Sequence, residues 1–397
     1  MKTGFAVAMM FITIGLCSRS FGASTQYYVV TNDDVDGPNT LTFYIAEGTV
    51  SAPKLTRLRT LPTGGSGLGG GYFGIVRQLL LQDGQNECIF AADGGSSDIA
   101  GVIGNTQVVV GNYKGSGTDS GGAAGVGLAM SPSGKYLYAA FSGSRTIATF
   151  TIGSGCALTF VSDVSATGLN AGFPHGMAAR NNILIVAFGD GSIGSFNISS
   201  GLPVSNNDLQ LSTGYLKNRQ FPDGVDITQD GHFAVFGDAS DGFSQVEVSD
   251  LSSGHLATTV NYGGDGSLGQ GLAANNVWLS PDETLLYVSD NLSGQVTAAF
   301  FDRLMGKVKF GCISQPLRGF GTSWSFSSSV TTASTSGTGS VLWVAEDGRG
   351  VSASSVGIVD VSSKGGTCSL TESTNSPAAD RNSLNLCWLN AFPTRSF

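Results

Sequence analysis

Short apolar stretches recur along the chain, each following a tight turn and each ending in a polar cluster. They are rich in alternating, β-branched and aromatic residues, a pattern that predicts strands rather than helices. Seven such stretches occur: Tyr27–Asp33, Cys88–Gly94, Tyr136–Ser142, Ile183–Asp190, Phe233–Asp238, Leu285–Asp290 and Val341–Asp347. Successive stretches begin about 47–61 residues apart, a spacing typical of one four-stranded propeller blade.

Further strands with period-two patterning fill each interval. Thr146–Ile152 follows a polar cluster, Lys307–Cys312 and His255–Val260 are predicted third strands, and Gly125–Met130 leads into the next turn. Four short strands repeated seven times predict an all-β fold, a seven-bladed β-propeller of four-stranded antiparallel blades. A two-sheet sandwich is the alternative, but it would not need a regular period. We expect the ring to close by pairing the N-terminal and C-terminal strands within one blade.

Two stretches of small residues interrupt the strand pattern. Thr63–Gly71 reads TGGSGLGGG, and Ser327–Ser340 is rich in Ser, Thr and Gly. Both are predicted to be loops.

The N-terminus has the three-part layout of a secretory signal peptide. Lys2 precedes an apolar run, Phe5–Leu16, and small residues follow near position 23. We therefore expect a signal peptide over residues 1–23, a single propeller domain over residues 24–397, and a secreted or periplasmic protein. The apolar run is too short to cross a bilayer, and no later stretch is long enough, so no membrane span is expected.

Composition narrows the set of partners. Charged residues make up only 12% of the chain, Gly accounts for 58 of 397 residues, and 20 Lys and Arg stand against 29 Asp and Glu. The net charge of −9 disfavours nucleic acid as a partner, because no basic stripe is present to bind phosphates. Export permits disulfides, and Cys368 and Cys387 are the pair closest in sequence, so they are predicted to form a bridge.

Three phrases carry a family resemblance. Ser131–Phe141 reads SPSGKYLYAAF, Ser280–Asn291 reads SPDETLLYVSDN, and Tyr28–Asn32 reads YVVTN. They resemble the turn-and-strand signature of the lactonase-type seven-bladed propellers, a group that includes 6-phosphogluconolactonase, carboxymuconate cyclase relatives and the YVTN-repeat proteins. The resemblance covers essentially the whole mature chain. It implies lactone hydrolysis or lactonising cycloisomerisation as the activity, if the chain is an enzyme.

The resemblance also implies a site. Members of the family carry a Pro-His at the start of an inner strand, and Pro174-His175 matches it, so His175 is a candidate acid or base. Strand ends place Asp190 on the same rim of the propeller, with Asp223 and Asp238 one blade further on. These four residues are the catalytic candidates. The alternative for each Asp is a turn former that bonds to its own backbone.

A second element of the family is altered in this chain. The two matching segments are Ala274–Trp278 and Asp290–Leu292, and they lack the family's Arg, His and Glu. The sequence therefore favours a ligand-binding or unassigned family member, with a small-molecule or carbohydrate-like ligand at the rim near His175. One alternative is a lactone hydrolase or cycloisomerase that uses His175 and the rim carboxylates. Another is a structural cell-surface repeat protein.

Calcium is the one cofactor that the sequence suggests. Asn32, Asp34 and Asp36 have the alternate spacing of oxygen ligands, and Gly37 follows them. The EF-hand pattern would then require a Glu where Phe43 stands, so the alternative is an Asx-rich turn without a metal.

Overall fold

The computed structural model describes residues 27–35, 37–49, 52–68, 79–82, 87–117, 125–218, 221–239, 245–263, 265–268, 274–290, 293–319, 326–334, 340–347, 354–379 and 388–393. They form seven small antiparallel sheets, which are the blades of a propeller. The predicted signal peptide, residues 1–23, lies outside the described residues.

The strands of the first three blades follow the predicted order. Blade 1 contains β1 (Tyr27–Asn32), β2 (Gly37–Thr49) and β3 (Ala52–Gly67). Blade 2 contains β4 (Leu79–Gln82), β5 (Cys88–Asp93), β6 (Asp98–Ile103) and β7 (Val108–Tyr113), with a 3-10 turn at Gly94–Ser96. Blade 3 contains β8 (Val126–Met130), β9 (Tyr136–Phe141), β10 (Thr146–Ile152) and β11 (Leu158–Ser165), with a 3-10 turn at Ser154–Cys156.

The remaining strands complete the ring. Blade 4 contains β12 (Pro174–Arg180), β13 (Ile183–Phe188), β14 (Ser192–Asn197), β15 (Val204–Ser205) and β16 (Gln210–Leu211), and the helix α1 (Thr213–Asn218) follows it. Blade 5 contains β17 (Phe221–Ile227), β18 (Phe233–Ala239), β19 (Val246–Asp250) and β20 (Val260–Tyr262). Blade 6 contains β21 (Ala274–Leu279), β22 (Leu285–Asp290), β23 (Gln295–Asp302) and β24 (Lys307–Ile313). Blade 7 contains β25 (Phe326–Ser334), β26 (Ser340–Asp347), β27 (Ser355–Lys364), β28 (Thr367–Glu372) and β29 (Ala378–Ala379), and β30 (Trp388–Pro393) ends the described chain.

The ring closes inside blade 1, as the sequence predicts. The C-terminal strand β30 pairs antiparallel with β1, with Tyr28 opposite Phe392, so the first blade combines both ends of the described chain. The innermost strands β30, β4, β8, β12, β17, β21 and β25 contact one another in turn around the axis. The seven-bladed propeller is therefore confirmed, and the sandwich alternative is excluded.

Apolar side chains from facing blades form the core. Each interface has its own cluster; Phe90 of blade 2 packs with Phe141 of blade 3, and Tyr44 of blade 1 packs with Trp343 of blade 7. These side chains are fully buried. Because the strands present apolar residues to both neighbouring blades, the ring is held together by burial at every interface.

Among the described residues, two disulfides join neighbouring blades. Cys88 is bonded to Cys156 across blades 2 and 3, and Cys312 is bonded to Cys368 across blades 6 and 7. The predicted pairing of Cys368 with Cys387 is therefore wrong, because β28 lies beside β24 of the preceding blade. Cys387 lies outside the described residues. Two disulfides indicate a protein of an oxidising, non-cytoplasmic compartment.

Three strand predictions need correction. β3 continues to Gly67 and β25 covers residues 326–334, so much of each predicted loop is strand. The third strand of blade 5 is shorter than predicted, since it starts only at Val260. No helix among the described residues is long and apolar enough to cross a membrane.

Candidate acid–base site in blades 4 and 5

The inner strands of blades 4 and 5 both carry a β-bulge near their first residue. In β12 the register shifts between Pro174 and Gly176, and in β17 it shifts between Pro222 and Val225. Bulges re-aim side chains and are common beside active sites. These two bulges place His175 and Asp223 at the same end of neighbouring strands.

His175 and Asp223 form a buried pair. Nδ1 of His175 lies 3.3 Å from Oδ1 of Asp223, and the side chains are 2% and 7% exposed. The ring of Phe173 meets the imidazole edge to face, with the ring centres 5.8 Å apart. A carboxyl group at Nδ1 fixes the orientation of the imidazole and leaves proton exchange with a ligand to Nε2.

Burial raises the pKa of Asp223 to about 8. While Asp223 holds its proton, it can donate to Nδ1, and the imidazole hydrogen then sits on Nε2. Once Asp223 has ionised, the imidazole N–H faces it from Nδ1, and Nε2 becomes a proton acceptor. The pair can therefore switch between an acid form and a base form close to neutral pH.

Asp238 and Glu247 form a second acidic pair behind Asp223. Both are fully buried, and burial followed by their mutual repulsion raises the pKa of Asp238. The pKa of Glu247 is also raised by burial. Asn261 donates from Nδ2 to Oδ2 of Asp238 at 3.1 Å, and the backbone N–H of Gly214 in α1 donates to Oε1 of Glu247.

Glu247 was missed as a candidate by the sequence reasoning. It lies in β19 within the segment QVEV, opposite Phe236, whose side chain packs in the interface with blade 4. An acid at an inward-facing position of an alternating strand is a signal that could have found it.

Asp190 belongs to a different environment. It accepts hydrogen bonds from the backbone N–H groups of Asn170, Gly172 and Ser192, the last at 3.0 Å, as well as from the Ser192 hydroxyl. Burial acts to raise its pKa, but these hydrogen bonds outweigh it and hold the pKa below the ordinary value. Asp190 therefore holds the connection between blades 3 and 4 in place. This is the turn-forming role that the sequence analysis gave as the alternative to catalysis.

Asp93 also takes part in contacts between blades. Asp93 accepts from Asn39 at 2.7 Å and from Thr63 at 2.8 Å, both in blade 1, although Asp93 itself is in blade 2. Gly65 passes so close that a Cβ there would collide with Asp93 and Asp98. Gly214 stands in the same relation to Asp238 and Glu247. In blades 2 and 5, the backbone that leads in from the preceding blade therefore covers these acids.

The predicted calcium ligands take part in local hydrogen bonds. Oδ1 of Asn32 accepts from Asn39 at 2.8 Å, and Oδ1 of Asp34 accepts from the backbone of Leu68 at 2.9 Å. Asp36 lies outside the described residues. In the described part of the chain, no group of three or more His, Cys, Asp or Glu side chains is arranged to hold a metal ion.

The segment Ala274–Trp278, singled out in the sequence, lies in β21 of blade 6. A bulge in β21 between Ala274 and Val277 matches those of blades 4 and 5, and Asn276 within it is buried. Asp290 ends β22 and accepts from the Thr297 hydroxyl at 2.8 Å. The inner strand of blade 6 thus has a bulge like those of blades 4 and 5, with Asn276 inside it.

A separate cavity of about 90 Å³ lies between blades 3 and 4. Phe188, Phe196 and Leu209 line its apolar part, and Ser195 and Asp208 line its polar part. The Ser195 hydroxyl donates to Asp208 at 2.5 Å, so the polar groups there are bonded to each other.

Comparisons with known proteins show the fold. No family model matches the chain, and no curated protein matches it. Among solved structures, a Bacteroides fragilis protein named a "putative 6-phosphogluconolactonase" superimposes with a TM-score of 0.64 at 15% identity, over 94% of this chain and 99% of that chain. Its counterpart of the same name from Bacteroides uniformis gives 0.57 at 13% identity, over 72% and 84%. A functionally unknown protein of Desulfotomaculum acetoxidans gives 0.57 at 12% identity, over 87% and 99%. The chain thus has a lactonase-like propeller fold.

Proposed function

We propose that the buried pair in blades 4 and 5 hydrolyses an uncharged lactone, with His175 as the acid–base group and Asp223 as its positioning residue. The observation that carries this proposal is the buried contact between His175 Nδ1 and Asp223 Oδ1 at 3.3 Å. A carboxyl-oriented imidazole is the arrangement that general acid–base catalysis uses most often. The lactonase-like fold supports the same reaction class, although a fold alone does not determine activity.

Ring opening needs a base for the attacking water and an acid for the leaving alkoxide. With Asp223 ionised, Nε2 of His175 accepts the proton of water as its oxygen adds to the lactone carbonyl. The imidazolium then returns this proton to the ring oxygen as the C–O bond breaks. Water and lactone are consumed and a hydroxy acid is formed, so atoms and charge balance without a further reactant.

The charge of the site favours an uncharged substrate. In the base form of the pair the buried Asp223 beside the imidazole is ionised, and a phosphorylated or carboxylated substrate would bring a second negative charge next to it. A neutral γ- or δ-lactone avoids that repulsion.

The test is turnover of a panel of neutral lactones by the purified mature chain. H175A should abolish turnover. D223N should lower kcat by about 10²–10⁴-fold, which is the usual contribution of a positioned proton-transfer group. H255A and H232A are matched controls, because these imidazoles are 57% and 61% exposed and should leave turnover unchanged.

Binding of the same lactone without turnover is the second candidate. It is favoured because the His175 side chain is only 2% exposed, which limits access for an attacking water. It is also favoured because β21 carries Asn residues, which are neither acids nor bases. Calorimetric binding of a neutral lactone that is lost in H175A, with no hydrolysis by the unmodified chain, would establish binding in place of catalysis. Absence of both binding and hydrolysis would leave the structural repeat protein as the function.

A further inference from the structure

Three buried oxygen atoms in blade 5 lack hydrogen-bond donors. They are Oδ1 of Asp238, Oε2 of Glu247 and Oδ1 of Asn261, and none of these three atoms has a hydrogen-bond partner among the described residues. The Ser212 and Thr259 hydroxyls interact with the Glu247 carboxyl and act to lower its pKa, but Oε2 itself stays without a hydrogen bond. Asp238 and Glu247 are fully buried. Leaving several buried acceptors without donors is costly, so such groups require an explanation.

The register of blade 5 brings the three side chains to one face. Glu247 pairs with Phe236 on one side and with Asn261 on the other, and Asp238 lies two residues beyond Phe236 on the same strand. Phe236 packs against blade 4, so this face looks into the interface between blades 4 and 5. The three oxygen-bearing side chains therefore cap that interface under Gly214.

Blade 2 contains a related acidic pair at the same end of its strands, and its acids have neutral hydrogen-bond donors. Asp93 corresponds to Asp238 and Asn112 to Asn261, whereas Glu247 takes the place of Ala100. Asn112 donates to both Asp93 and Asp98, at 3.2 and 3.3 Å. The other oxygen of Asp93 accepts from Asn39 and Thr63. The acids of blade 2 thus have neutral hydrogen-bond donors, whereas one oxygen of Asp238 and one of Glu247 in blade 5 have none.

We propose that Asp238, Glu247 and Asn261 bind a hard divalent cation, calcium or magnesium, at the top of the interface between blades 4 and 5. Two carboxylates and an amide carbonyl form an all-oxygen donor set, which suits these ions rather than zinc or copper. The ion pairs of the described residues use other acids, so no Lys or Arg among them neutralises this pair. This site is separate from the calcium loop that the sequence predicts at residues 32–37.

The test is the thermal unfolding of the full mature chain, stripped with a chelator and then titrated with calcium chloride or magnesium chloride. At about 100 times Kd, the Tm should rise by about 3 °C for a chain of this size. Titration calorimetry with the metal alone should show one ion per chain that binds to the unmodified protein and not to E247Q. The increase in Tm should be lost in E247Q and in N261A. It should be retained in D98N, which changes an acid of the blade 2 pair that already has hydrogen-bond donors.

Two results would overturn the proposal. The first is an unmodified chain whose Tm and calorimetry do not respond to either ion up to about 10 mM, well above the Kd of weak extracellular calcium sites. In that case the two carboxyls share a proton instead. The second is an ion effect that persists in E247Q and N261A but disappears in D34N, which would place the ion at residues 32–37. Neither result depends on lactone turnover, so this proposal and the proposed function can fail independently.

Discussion

Replacing Glu346 by Gln should remove a large part of the pH dependence of stability. Glu346 ends β26 in blade 7 and is fully buried, with the Ser355 hydroxyl donating to Oε2 at 2.5 Å. Burial raises its pKa from 4.5 to about 8. The folded protein therefore keeps this proton at neutral pH, while the unfolded chain releases it.

The sign follows from that difference in bound protons. Because the pKa is raised in the folded state, the stabilising contribution is complete below the unfolded value, near pH 4.5, and is lost as the pH rises to about 8. A shift of this size corresponds to about 5 kcal/mol across that window, which is an upper bound because water penetration and relaxation reduce it. Gln keeps the shape of the side chain and cannot ionise, so the free energy of unfolding of E346Q should not fall by this amount as the pH rises.

Urea unfolding of the unmodified chain and of E346Q between about pH 5 and pH 8.5 measures the effect. The two free energies of unfolding should be similar at low pH and should diverge towards high pH, with E346Q the more stable protein. Glu47 is exposed, so E47Q is the control and should follow the unmodified chain. Parallel curves for E346Q and the unmodified chain over the whole range would refute the reasoning.

Three further changes follow from the same structure. Replacing Cys312 and Cys368 together by Ser should lower the free energy of unfolding by about 4 kcal/mol in chemical denaturation, because the bridge spans 56 residues; no loss would contradict that pairing. G65A should destabilise by roughly 1–3 kcal/mol because its Cβ meets Asp93, whereas G153A, with only an ordinary contact, should be nearly neutral; equal thermal shifts would contradict this. Since hydrogen bonds lower the pKa of Asp190, D190N should have a lower free energy of unfolding than the unmodified chain at neutral pH. Urea unfolding at decreasing pH should show this gap closing as Asp190 becomes protonated; a gap that is the same at every pH would contradict the role of the ionised carboxylate.

The repeat made the fold predictable, because each blade contains the same strand and turn pattern. The recurring apolar stretch of blade 6, Leu285–Asp290, has the predicted bounds as a strand, and β10 also matches its predicted bounds. Glycine was the main source of error. Thr63–Gly67 looks like a flexible loop, but it is a strand in which Gly65 leaves room for Asp93 and Asp98 of the next blade. A single sequence does not reveal that neighbour.

The candidate site was only partly predictable for a similar reason. The Pro-His phrase located His175, and strand ends located Asp223 and Asp238 in the neighbouring blade. Nothing in a local pattern distinguishes the buried Asp223 from Asp190, whose hydrogen bonds come from nearby backbone. The difference depends on what packs above each carboxyl. Cys368 shows the same limit, since its partner lies 56 residues away in the preceding blade.

The most direct test of the central claim is the pH dependence of kcat/KM for a neutral lactone, measured from about pH 5 to pH 9.5 beside H175A. Asp223 keeps its proton up to about pH 8, so the base form of His175 should become populated as the pH rises through that value. The account predicts that kcat/KM of the unmodified chain rises through about pH 8 and that H175A shows no such rise. A lactone hydrolysis rate that is the same in both proteins at every pH would contradict it.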